Sequence, residues 1–346
     1  MSLYHEIPFL RNVALTDLIK NYIPTQNRIG ATMLPSRSVI TRETEWEVVL
    51  GANNIAPIVA WDAQSPLVGQ AGIQRYAAKA VDIREKFEIG EADILFLRNP
   101  GERESAQARG NIRDHLAKMK NDVENRLEKM RFDVFLTGRL SVNDTVDGQL
   151  ISLNYDFGVP AASFRDATDD SGGLVWTNTT NGDARVQFES AKLAIRNATG
   201  QTVTSALMNG NTRALINHQA LIRQDLVYVS GPADLVRNSD ITEVLSGIRL
   251  VTYDDGYKLD VNGTGAHQYF LPDNKVIFFV GPANGGERFG DVATSPSLLA
   301  DGSIVEGIFA EQWTSPDPTR EYLRVGTVAI PRVFHPDWFI TLSTNA

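Results

Sequence analysis

The sequence contains no cysteine in 346 residues. That excludes disulfides, thiolate metal sites and cysteine nucleophiles, and it fits assembly in a reducing cytoplasm. Long apolar runs are missing too. Nothing approaches the ~18 consecutive apolar residues of a bilayer-spanning helix, so no membrane partner is expected. The opening MSLYHEIPFLRN lacks the charged-then-apolar order of a signal peptide. Without a secretion signal, the sequons at Asn143, Asn178, Asn197 and Asn262 are read as chance occurrences.

Catalytic motifs are equally scarce. The five histidines (His5, His115, His218, His267, His335) are scattered, with no HExxH or other ligand spacing. There is no GxSxG nucleophile elbow. GPANGGER (281–288) places Glu287 and Arg288 where a phosphate loop needs lysine and a hydroxyl, and the glutamate would repel the ligand. NDTVDG (143–148) faintly resembles a calcium loop, but Asn154 stands where the closing acid belongs. No catalytic, metal or cofactor site is expected. The many carboxylates single out no dyad, so a soluble α/β enzyme stays open only as a rival reading.

What is present describes a folded chain. Hydrophobic residues make up 42% and charged residues 22%, and the length suits two lobes. The formal charge of −9 argues against a dedicated nucleic-acid binder, which needs concentrated cations.

Residues 1–41 read as an extended arm with a short helix near Leu15–Tyr22. Thr44–Val48 alternates around Trp46, and Val81, Ile83, Phe87 and Ile89 alternate with charged residues, the period of a half-buried strand. Between them lies a Gly/Ala/Pro-rich stretch carrying Ile55, Ile58, Val59, Trp61, Leu67 and Val68. Two strands joined by such a tip predict a projecting hairpin over 42–90, whose apolar end must find a partner surface.

The strongest local signal follows. Asn99-Pro100-Gly101-Glu102 starts a helix. From there Ala108, Ile112, Leu116, Met119, Val123, Leu127, Met130 and Val134 recur at spacings of three and four, and Gly138 can end it. One narrow apolar stripe with polar flanks predicts a helix over about 100–138 lying across a surface. Beyond it, alternation predicts a strand at Leu150–Phe157, helices at 184–197 and 212–224, and strands at 202–208, 226–230 and 248–253, an α/β lobe. A flexible tip is expected over 254–266 (Asp255, Tyr257 and Lys258 among its residues). QYFLPDNKVIFFVG (268–281) predicts a hairpin-like turn at Leu271–Asn274.

FLPDN (270–274), Asp317-Pro318-Thr319-Arg320-Glu321 and the strand after Pro336-Asp337 resemble the C-terminal part of lambda-type major capsid proteins of tailed bacteriophages. Asp156–Gly158 (DFG) and Ser171–Trp176 (SGGLVW) are similar to further features of that family. The resemblance covers 100–346 in motif and the first hundred residues in pattern. It implies an α+β chain with the Hong Kong 97 capsid fold. The parts are an arm (1–41), an extended hairpin or E-loop (42–90), a peripheral domain with a spine helix (91–182), an axial domain (183–311) and returning C-terminal strands (312–346).

By this resemblance the protein is a head subunit, found in the virion capsid and assembled in the host cytoplasm. Its partners are copies of itself in pentamers and hexamers, portal and scaffolding proteins, a decoration protein, and double-stranded DNA enclosed without sequence-specific binding. Expected contacts are Leu3, Tyr4, Phe9 and Leu10 on the arm, the six hairpin-tip residues, and Asp255, Tyr257 and Lys258 at the axial tip. The alternative within virions is a decoration or tail component.

Overall fold

The computed structural model describes residues 11–22, 28–49, 58–59, 61, 64, 73–89, 102–146, 149–170, 173–224, 244–258, 265–281, 289–316 and 319–345. They fall into two compact units, one drawn from 1–45, 77–131 and 291–332, the other from 46–76, 132–290 and 333–346. Leu3, Tyr4, Phe9, Leu10, Ile55, Leu67, Val68, the helix start at Asn99–Gly101, the strand expected at 226–230 and the loop 282–288 lie outside the described residues.

The first unit is a helix on a sheet. The helix runs from Glu102 to Thr137, uninterrupted at Gly110. Ile112, Leu116, Met119, Val123, Leu127, Met130 and Val134 are all buried, as their spacing requires. The first four pack with Ile89, Ala310, Leu323 and Val325 from the sheet and with Leu15 and Ile19. The sheet centres on Thr319–Val333, which pairs antiparallel with Phe309–Pro316 on one side and Val81–Ile89 on the other. It also includes Gly290–Ser295 and, parallel to that strand, Ser36–Ser38. The strand Phe309–Pro316 escaped prediction because it does not alternate: Glu311 and Gln312 are both fully buried. Glu321, from the DPTRE stretch, is buried and accepts from Gln312 Nε2 (2.9 Å) and Thr314 Oγ1 (2.7 Å).

Three expectations are corrected. The second arm of the hairpin is not Val81–Ile89, which joins the five-stranded sheet; Glu43–Val49 pairs instead with Ile73–Lys79. The described part of 1–41 is not an extended arm. Asn12–Asn21 is a helix seated on its own subunit through Leu15 and Ile19. The long helix is also not buried along one stripe only, because Lys120, Glu128 and Arg131 are buried as well.

Those three side chains explain why 11–22 and 28–38 lie against the helix. Lys120 Nζ donates to the carbonyls of Ile19 (2.7 Å) and Tyr22 (2.5 Å), closing the C-terminal end of the short helix. Burial pushes the Lys120 pKa down, and Glu124 opposes this. Arg28 donates to the side chains of Asn121 and Asn125, both at 2.7 Å. Glu128 accepts from the backbone N of Gly30 (2.7 Å) and from Arg131 Nη1 (3.0 Å). Arg131 continues to Leu34 O and Ser36 Oγ, each at 3.0 Å. A Cβ at Gly30 would sit 2.7 Å from the Glu128 carboxylate, so only glycine admits this approach.

The half-buried face of Val81–Ile89 includes Ile83, Glu85 and Phe87, and Phe87 stacks on His115 of the long helix at 3.9 Å. Burial raises the Glu85 pKa; Asp122 adds to the rise and Lys118 opposes it. Burial likewise raises Asp122, against Lys118 and Arg28. A carboxyl whose folded pKa exceeds its unfolded value binds more protons when folded. Stability therefore falls as pH climbs from the ordinary values (4.5 and 3.8) past the raised ones, and the penalty persists at neutrality. Asp122→Asn is expected to raise the pH 7 thermal midpoint by the equivalent of a few tenths of a kcal/mol after solvent screening. It should also shrink the gain seen on acidifying the wild type. A lower midpoint at pH 7 would contradict this.

The second unit is built on a six-stranded sheet in the order Phe164–Asp166, Phe339–Ser343, Lys275–Phe279, Ser205–Met208, Ile248–Thr252, Val244–Leu245. The apolar run after Asn274 lies at its centre, antiparallel to both neighbours, which is why Val276, Ile277 and Phe278 are fully buried. Phe188, from the helix Ala184–Thr199, meets Phe278 edge-on at 4.8 Å, and Trp176 stacks on Phe188. The expected second helix runs over Gly210–His218, breaks at Gln219 and resumes over 220–224. The buried Gln219 side chain at the break accepts from Ala184 N at 2.8 Å.

The FLPDN turn does not close a hairpin. It leads from a two-stranded ribbon, Gly256–Lys258 with His267–Tyr269, into the central strand. Its polar groups hold the first turn of the 210–218 helix, which Asn209 caps by accepting from Thr212 N at 2.8 Å: Asn209 and Asn211 both donate to Asp273, and Thr212 Oγ1 accepts from Asn274 N at 2.9 Å. Asn274 has φ 62°, a left-handed conformation that asparagine tolerates and β-branched residues do not. Asn274→Val is expected to cost about 1–3 kcal/mol in thermal denaturation. Asn274→Gly should cost far less, and equal losses would refute the backbone explanation.

Candidate subunit-contact surfaces

The hairpin is anchored at its base and apolar at its tip. Thr44, Trp46 and Val48 are buried on alternate positions of the first arm. Trp46 stacks on Tyr76 of the second arm (5.9 Å between centroids) and reaches Phe157 (6.2 Å). Phe157 is fully buried, and the next residue, Gly158, has φ 70°. The Tyr76 ring lies directly over Gly158, where a Cβ would overlap its hydroxyl. Asp156 holds this turn, accepting from Gly158 N (2.9 Å) and from Arg139 Nε (3.1 Å). The DFG tripeptide is thus a seat for the hairpin: acid to fix the turn, aromatic to fill the base, glycine to admit the tyrosine.

Of the predicted tip residues, Ile58 and Trp61 are fully exposed and Val59 is 39% exposed. Isolated exposed apolar residues are ordinary; two full exposures three residues apart make a candidate contact surface.

The second predicted surface is only partly available. Lys258 is exposed, but Asp255 and Tyr257 are half-buried. Tyr257 packs on Phe270 (5.1 Å) and donates to Gln268 Oε1 (3.0 Å), while the Asp255 carbonyl accepts from Phe270 N. Phe270 in turn lies against Phe132, which stacks on Tyr253. The base of this tip is therefore built into its own unit.

A third surface escaped sequence reasoning. Leu298 and Ile304 are paired across a small ribbon and are 63% and 72% exposed. Val13 is also exposed, and its neighbour Asn12 donates to Asp301 Oδ2 (2.8 Å) in the ribbon's turn. The signal was legible: Asp301-Gly302 between short apolar runs is a hairpin dipeptide, and Gly302 has φ 83°.

Among the described residues no group of three or more His, Asp or Glu side chains could hold a metal ion. No helix among them is long and apolar enough to cross a membrane.

A family model described as phage major capsid protein E matches residues 12–344. No curated protein matches the sequence. Among solved structures, the putative capsid protein of a prophage of Escherichia coli CFT073 is similar, with TM-score 0.58 and 18% identity over 95% of this chain and 96% of that one. A phage-related protein from Bordetella bronchiseptica RB50 gives TM-score 0.54 and 12% identity, covering 97% of each chain. A chain of Gordonia phage Cozz gives 0.51 and 12% identity, covering 94% of this chain and 89% of that one.

Proposed function

Because this chain belongs to the phage major capsid protein E family, and so is a major capsid protein, we propose that its work is mechanical: it buries apolar surface against copies of itself. In this reading the copies form the pentamers and hexamers of a tailed-phage head that encloses double-stranded DNA without reading its sequence. The carrying observation is the hairpin, fixed at its base by Trp46, Tyr76 and Phe157 while Ile58 and Trp61 stand fully in solvent. Side chains such as Ile58 and Trp61, which bury nothing in their own subunit, gain from burial elsewhere, by about 25 cal/mol per Å² of apolar area.

We assign this hairpin the role of the E-loop and the Glu102–Thr137 helix that of the spine. The helix-on-sheet unit takes the peripheral place and the six-stranded unit the axial one. Portal, scaffolding and decoration proteins are partners of the assembled head, which is built in the host cytoplasm. Shell contacts recur head to tail around closed rings, so many modest contacts add up through multivalency.

Ile58→Asp with Trp61→Ser is expected to leave the thermal midpoint of the unassembled subunit within about 0.5 kcal/mol of wild type. The yield of closed particles, read by sedimentation and electron microscopy, should fall at least about tenfold, the equivalent of 1.4 kcal/mol. Normal shells from this variant would refute the assignment.

A further inference from the structure

Val81–Ile89 keeps Ile83, Glu85 and Phe87 half-buried and leaves Asp82, Arg84, Lys86 and Glu88 exposed. On the long helix, His115, Lys118, Asp122 and Arg126 form one stripe at spacings of three and four. The stack of Phe87 on His115 fixes the register of strand on helix. From that contact Glu85 lies about 7 Å along the strand and Asp122 about 10 Å along the helix, with Lys118 on the turn before it. The Glu85 carboxylate feels both charges, repelled by Asp122 and drawn by Lys118. Glu85 and Asp122 are half-buried, and among the described residues neither has a hydrogen bond or an ion pair. Buried acids elsewhere in this unit are matched: Glu128 by Arg131, Glu311 by Arg324 and Asp291 by Arg332. The strand is also the root of the hairpin, with only Ala80 between it and the arm Ile73–Lys79.

We propose that Glu85 and Asp122 form a proton-operated latch between the long helix and the strand at the hairpin's root. With one of them neutral the strand is held to the helix; with both charged the seam loosens. Two unmatched acids facing across a half-buried contact are costly to keep ionised. Burial raises both above the ordinary carboxyl range. A group so raised adds stability as pH falls through its folded value, and the gain is lost above it. Few charges oppose this: Lys118 faces both acids, and Arg28 reaches Asp122 from the segment beside the helix. Arg126 lies one turn beyond Asp122. From the sheet, uncharged Val325 sits opposite Glu85. His115, against Phe87, is the remaining titratable group on the stripe. The latch sets how firmly the hairpin's root is held; only a consequence for particle yield would rest on the hairpin's assigned role.

The test is amide exchange in 81–89 of the full-length, unassembled subunit, corrected at each pH for the chemical exchange rate. In the wild type it should be about threefold slower at pH 5 than at pH 7.5, the size of a partly screened charge pair. Glu85→Gln and Asp122→Asn should each bring the slow rate to pH 7.5. Together they should gain less than the sum of the two, because one neutralisation already ends the repulsion. Lys118→Met removes the cation facing both acids and should widen the pH effect. His115→Phe keeps a ring on Phe87 without a titrating group and should leave the effect in place. The proposal is overturned by exchange that does not change with pH in the wild type, by additive gains from the two substitutions, or by loss of the effect in His115→Phe. Assembly plays no part in this readout, so its failure would leave the hairpin's role standing.

Discussion

Glu128→Ala is expected to lower the stability of the unassembled subunit by about 3–5 kcal/mol, the cost of stripping one partner from a buried ion pair. Glu128 is fully buried within the first unit, and Arg131 beside it is 4% exposed. Burial already pushes the Arg131 pKa down, and the adjacent Glu128 carboxylate opposes that push. Removing the carboxylate leaves the guanidinium hydrogen-bonded to the neutral Leu34 carbonyl and Ser36 hydroxyl, with the Glu124 charge as its remaining favourable one. It also orphans the Gly30 N–H. Glu128→Gln keeps an acceptor for Gly30 but loses the charge, and should fall between alanine and wild type. Denaturant midpoints measured on all three proteins check the order. A loss under about 1 kcal/mol for alanine would mean that this cluster does not hold residues 28–36 to the helix.

Gly158→Val should abolish assembly while leaving most of the subunit folded. The substitution meets two obstacles at once. The backbone φ of 70° costs a β-branched residue about 1–3 kcal/mol, and the new side chain lands on the Tyr76 ring. Tyr76 is held by its stack on Trp46, so the ring yields only by moving the hairpin. Amide exchange should therefore quicken in 43–49 and 73–79 and stay slow in the central strand Lys275–Phe279. Tyr76→Leu combined with Gly158→Ala removes the overlap but not the backbone cost, and should recover part of the particle yield. Closed particles from Gly158→Val at wild-type yield would show that the hairpin's direction is not set there.

Where the chain buries what it repels from water, pattern and structure agree. The seven stripe positions from Ile112 to Val134 and the run Val276–Phe278 are core because nothing polar interrupts their periods. Reading failed where polar side chains are buried. Lys120, Glu128 and Arg131 look like a solvated flank, and Glu311-Gln312 looks like a loop, because their partners lie about a hundred residues away or on a helix edge. It failed again at strand pairing. Glu43–Val49 has two plausible mates downstream, and alternation alone cannot choose between Ile73–Lys79 and Val81–Ile89. Exposure divides in the same way. Ile58 and Trp61 stand in solvent as the apolar stretch suggested, whereas nothing in the sequence marks Tyr257 as a ring packed on Phe270.

Thr319–Val333 lies at the middle of the first sheet and Phe339–Ser343 pairs at the heart of the second. Each is held by a neighbour far away along the chain: Glu321 lies opposite Ile89, and Thr341 opposite Phe164. Pairings of such wide separation are slow to form, because the loop must be closed before the contact rewards it. Neither unit can hold its sheet until these strands have docked, so only a subunit that has made its slowest contacts presents a finished surface to its neighbours.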